Sequence, residues 1–140
     1  YENTFVGLRE GSGTSSGNGT GYKNTGVGIV ALDDIREGQH NTAIGDSSAV
    51  DIGTGIYNTM IGAAAGVATE YADFNTFVGA MAGWDNNRTN NRTDANRNTY
   101  MGYLSGASNR EGEDNAGVGA FSGYGRADRT TDGGEGFTYF

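Results

Sequence analysis

The residues best suited to chemistry lie in one run, Trp84-Asp85-Asn86-Asn87-Arg88-Thr89-Asn90-Asn91-Arg92-Thr93-Asp94. It joins the only tryptophan of the chain to two arginines and several amides. An indole face stacks on a sugar ring, while guanidinium, amide and carboxylate groups bond its hydroxyls. Trp84, Asn87, Arg88 and Arg92 are therefore the expected receptor contacts, with a glycan as the chemistry they suit. The competing reading is a solvated excursion with Trp84 packed on its neighbour. The single histidine, His40, precedes an asparagine at a position held elsewhere by Glu2, Lys23, Tyr57, Phe74, Arg97 and Asp114. A position that accepts any side chain reads as solvated surface rather than a catalytic or metal site.

Acidic groups occur as Asp33-Asp34, Glu111-Glu113-Asp114, and Asp132 with Glu135. Calcium prefers such oxygen ligands at turns. Neither a D-x-D-x-D-G loop nor a G-G-x-G-x-D nonapeptide is present, so these read as solvated acidic loops and no metal or other cofactor is expected. Gly11-Ser12-Gly13 and Gly17-Asn18-Gly19-Thr20-Gly21 lack the lysine, strand and helix of a phosphate loop. Asn18-Gly19-Thr20, Asn87-Arg88-Thr89 and Asn91-Arg92-Thr93 match the N-glycosylation pattern, as chance allows in a chain rich in Asn and Thr.

Composition narrows the classes. The chain has 140 residues, 26 of them glycine, with no proline and no cysteine. A disulfide framework, a thiolate zinc site and a cysteine nucleophile are excluded. No stretch approaches the roughly 18 apolar residues that span a bilayer, so no membrane insertion is expected. Acidic residues outnumber basic ones 17 to 9, for a net charge of -8. That charge repels phosphate and argues against nucleic acid as a partner. The first residue is Tyr1 rather than Met, which suggests a fragment or a processed product.

The elements that must position these residues follow from a repeat, N-T-x-Φ-G, in which Φ is Val, Ile or Met. Seven copies start at Asn3, Asn24, Asn41, Asn58, Asn75, Asn98 and Asn115, at intervals of 21, 17, 17, 17, 23 and 17 residues. The last carries Ala116 in place of Thr. Small residues recur three places after the motif glycine, at Ala31, Ser48, Ala65, Ala82, Ser105 and Ser122. A fixed register of this kind argues against the disorder that the composition alone suggests. Seventeen residues are too few for helix-pair repeats and fit one coil of a β-solenoid stacked at about 4.8 Å.

The expected fold is therefore all-β: a β-roll of about seven coils forming one domain over 1–140, with insertions in 8–23 and 84–97. Strand alternation puts Thr and Φ on one face, Asn and x on the other. The β-branched Φ column is expected inside, and the variable x column at a looser interface or outer surface. Asn at the strand entry tolerates the left-handed conformation and hydrogen-bonds its own turn, and its amides can bond from coil to coil as a ladder. So thin a coil buries little apolar area, which calls for association, and three coils around an axis satisfy it.

The pattern N-T-x-Φ-G-x-x-[A/S]-G resembles the head repeats of trimeric phage tail fibres and, more distantly, those of trimeric autotransporter adhesins, over residues 3 to about 125. The resemblance implies a left-handed parallel homotrimer that attaches to a cell-surface glycan or protein receptor, outside the cell, on a virion tail fibre or a bacterial surface. It brings no catalytic residues. A purely structural shaft or filament subunit is the alternative; protruding insertions after Gly7 and Gly79 favour attachment. Ice binding would want two parallel threonine rows, and here the second row is Φ. A depolymerising enzyme would want paired carboxylates in a groove, and no repeated pair occurs.

Overall fold

The computed structural model describes residues 2–9, 11, 20–87, 94–124 and 138–140. They form a β-solenoid of about six turns, without a helix among the described residues. Each motif copy makes one strand: β1 (Thr4–Leu8), β2 (Thr25–Ile29), β3 (Thr42–Ile44), β4 (Thr59–Ile61), β5 (Thr76–Val78), β6 (Thr99–Met101) and β7 (Ala116–Val118). All pair in parallel and in sequence order. The register aligns equivalent residues throughout, Thr42 with Thr59 and Ile44 with Ile61, for example. An eighth strand, β8 (Thr138–Tyr139), pairs with β7 and sets Thr138 beside Ala116. The sequence motif does not carry into this segment, where Phe137 stands at the asparagine position.

The two faces are reversed relative to the sequence expectation. The x residues point inward: Ala43, Met60, Phe77 and Tyr100 are buried and belong to the core with Leu32, Ile35 and Ile52. The Φ residues point outward, with Val6 59%, Ile44 39%, Ile61 37% and Val118 47% exposed. Alternation separates the two faces but does not say which lies inside. The asparagine decides it. Its amide needs both an acceptor and a donor partner, and only the interior carbonyls and the next coil supply both.

Free variation of x is then a matter of volume. Four residues after the motif glycine, a second inward position answers it within the same coil. A large x faces glycine: Phe5 and Gly11, Met60 and Gly66, Phe77 and Gly83, Tyr100 and Gly106, each pair so close that a Cβ on the glycine would collide with its partner. Where x is small the answering residue carries a side chain in two coils, Gly26 with Leu32 and Ala43 with Ala49, both Leu32 and Ala49 fully buried. Interiors tolerate variation that keeps the total volume.

A left-handed conformation falls on the residue before six of the seven asparagines: Lys23, His40, Tyr57, Phe74, Arg97 and Asp114 all have φ of 57–59°. It is not at the asparagine, which extends straight into the strand. Such a conformation costs a non-glycine residue about 1–2 kcal/mol. It turns the N–H back toward the preceding coil, where Tyr57 donates to Gln39 O and Phe74 to Ile56 O, both at 3.0 Å. The motif glycine makes the opposite bend. At Gly45 φ is +137°, and a Cβ would meet the Gly62 carbonyl oxygen at 2.5 Å, so no other residue fits there.

Candidate functional site

The asparagines line up as one internal column. The backbone N–H of each donates to Oδ1 of the asparagine one coil earlier: Asn24 to Asn3, Asn41 to Asn24, Asn58 to Asn41, Asn75 to Asn58, Asn98 to Asn75 and Asn115 to Asn98, at 2.9–3.0 Å. Nδ2 of Asn3, Asn24, Asn41, Asn58 and Asn98 donates to the carbonyl three residues before the next asparagine, at 2.8–2.9 Å. One side chain thus ties the coil above and closes its own coil. Aspartate lacks the donor and glutamine is a methylene too long. This column is the frame from which the outer features project.

The outer face of the sheet is the first such feature. A Φ row runs from β1 to β7, with a threonine row broken only at Ala116 beside it, and Leu8 and Ile29 stand exposed next to them. An all-parallel sheet is ordinarily covered on both faces. Here the side chains of the inner face fill the coil, and the outer face carries an apolar stripe along the axis.

The second feature is the bend after the strand. In three successive coils it has the same hydrogen bond: Trp84 N–H to Met81 O, Ala107 N–H to Leu104 O, and Tyr124 N–H to Phe121 O, at 3.0–3.4 Å. Trp84 is therefore part of the regular coil rather than of the excursion, as its carbonyl, accepting from Ala68 N–H at 3.1 Å, also shows. Its side chain is 43% exposed. Tyr103, Phe121 and Tyr124 are exposed nearby, with Tyr103–Phe121 and Phe121–Tyr124 edge-to-face at 5.4 and 5.7 Å.

The other expected receptor contacts divide. Asn87 is fully buried, with φ +61°. Its Nδ2 donates to Asp94 O at 3.2 Å, and the Asn86 Nδ2 donates to Ala95 O at 3.0 Å. These amides hold the two ends of the insertion together, so Asn87 is corrected from receptor contact to internal clamp. A short amide beside its own backbone satisfies orphan carbonyls, a role that composition does not separate from ligand binding. Arg88 and Arg92 lie outside the described residues, as do Asp132 and Glu135.

His40 sits in the left-handed column, where its ring stacks on Tyr57 at 4.6 Å and Tyr57 stacks on Phe74 at 5.4 Å. The column is surface, as expected, but its members pack on one another. Several acidic residues are engaged by arginines: Asp33 with Arg9, Glu70 with Arg36, and Asp114 and Glu113 with Arg97, the Arg97 contacts at 2.6 Å. Hydrogen bonding to Arg97 lowers the Asp114 carboxyl and raises the guanidinium. Burial raises the carboxyls of Asp51 and Asp73; the Asp34 charge adds to the first and a hydrogen bond from Ile56 N–H opposes the second. Among the described residues no group of three or more His, Cys, Asp or Glu could hold a metal ion. No family model, curated protein or solved structure matches this chain.

Proposed function

We propose that the chain is one protomer of a non-enzymatic homotrimeric fibre head that attaches to a cell-surface receptor. The observation that carries this reading is the outer face of the sheet. A continuous apolar stripe on a parallel sheet marks a protein interaction surface, and it extends over every coil rather than forming a local patch. Three copies around a common axis would cover it along its full length and leave the bends pointing outward. Each bend would then occur three times, which multiplies a weak receptor contact by avidity. Trp84 stands at such a bend.

Light scattering at micromolar concentration tests the assembly. A mass of three chains is expected; a monomer or a dimer refutes the trimer. A glycan array tests attachment, with binding expected to the assembled fibre.

A further inference from the structure

We infer that Trp84 and Tyr124 form a two-ring platform for a neutral, linear polysaccharide running along the solenoid axis. This deepens the attachment reading and rests on it. The two residues occupy the same place in the same turn, two coils apart. The three turns are stacked by Gly83 N–H to Ser105 O at 2.9 Å and Gly106 N–H to Ser122 O at 2.8 Å. At about 4.8 Å per coil, equivalent positions two coils apart are roughly 9–10 Å from one another. That is the length of one disaccharide in an extended β-1,4-linked chain. The intervening coil has Ala107 at this position, whose own side chain is a single methyl and too short to stand between the rings. Tyr124 is 52% exposed and is braced by Phe121, itself braced by Tyr103.

Charge selects the ligand class. Each arginine among the described residues is engaged by a carboxylate: Arg9 by Asp33, Arg36 by Glu70, Arg97 by Asp114, and Arg110, the one in the coil between the rings, by Asp85 at 3.2 Å. With a net charge of -8, the chain as a whole disfavours uronic acids and sulfated sugars. Ring stacking on a neutral pyranose needs no cation, because it uses the apolar face of the sugar.

The test is calorimetric titration of the assembled protein with β-1,4-linked gluco- and manno-oligosaccharides of two to six sugars, beside heparin-derived oligosaccharides of matching length. Trp84 is the only tryptophan, so its fluorescence reports occupancy in the unmodified protein. Saturable binding to at least one neutral series is expected, tightening about fivefold or more once the oligosaccharide spans both rings. Trp84→Ala and Tyr124→Ala should each reduce the hexasaccharide to the affinity of the disaccharide. Both side chains are exposed, and unchanged circular dichroism verifies the fold. Lack of binding in both neutral series, affinity independent of length, preference for heparin oligosaccharides, or binding that survives either substitution overturns the platform. An array hit or whole-cell binding that survives both substitutions overturns the platform and leaves attachment standing. Blank arrays together with no cell binding overturn both.

Discussion

Gly83 lies against the ring of Phe77 inside a single coil, so close that a Cβ on it would stand 2.7 Å from Phe77 Cγ and nearer still to the ring edge. The two positions share one volume, and the coil tolerates a large residue at one only with glycine at the other. Gly83 also has φ +58°, which adds backbone strain to any side chain placed there. Overpacking of this kind costs typically 1–3 kcal/mol, and truncating a buried phenylalanine about 3–5 kcal/mol. Gly83→Ala is expected to cost clearly less in a Phe77→Ala background than in the wild type. Denaturant unfolding of the two single variants and the double variant measures that coupling; additive costs would refute the shared volume.

Asn58 is fully buried and uses both ends of its amide, Nδ2 to Ala72 O at 2.8 Å and Oδ1 from Asn75 N–H at 2.9 Å. Asn58→Ala leaves buried partners unmet, at about 1–3 kcal/mol for each. Asn58→Asp puts a carboxylate against a carbonyl oxygen, and burial together with that contact raises its pKa in the folded state. The sign follows: stability is present below the unfolded pKa and is lost as pH rises through the folded one. The aspartate variant should be much less stable than wild type at pH 7 and recover on acidification. Thermal melts from pH 3 to 7 give the answer, and a deficit constant over that range counts against the ladder geometry.

Asp73 accepts from Ile56 N–H at 2.8 Å, and burial raises its carboxyl above the ordinary 3.8. Its protonation therefore favours the folded state. That contribution is full below about pH 3.8 and is lost as pH rises through the raised value. Asn keeps the acceptor oxygen without the charge. Asp73→Asn is expected to melt higher than wild type at pH 7 and level with it near pH 3. A lower melting temperature at pH 7 would show that the charge itself is needed.

Ile61 lies mid-stripe on the outer face of β4 and touches solvent at 37% of its surface. Ile61→Asp places a charge in every copy at the proposed interface, where burial without a partner is strongly unfavourable. The expected outcome is dissociation to monomers at micromolar concentration, with the strand signal in circular dichroism retained. Unchanged mass would remove this face from the interface.

The sequence by itself determined the period, the parallel register and the residue that heads each strand, because a solenoid repeats one local solution and stacks like upon like. It also held the size pairing, Phe77 with Gly83 and Gly26 with Leu32, but two columns six residues apart declare themselves neighbours only once the bend is folded. Tertiary structure alone decided which strand face is inside, since period-two alternation is symmetric between the faces and the carbonyls that claim the Asn amides lie across the coil. It decided as well that Asn87 closes the neck of the insertion and that Trp84 belongs to the turn rather than to the excursion. Those relations depend on how chain distant in sequence is brought one rung above or below. Composition carries no record of that distance.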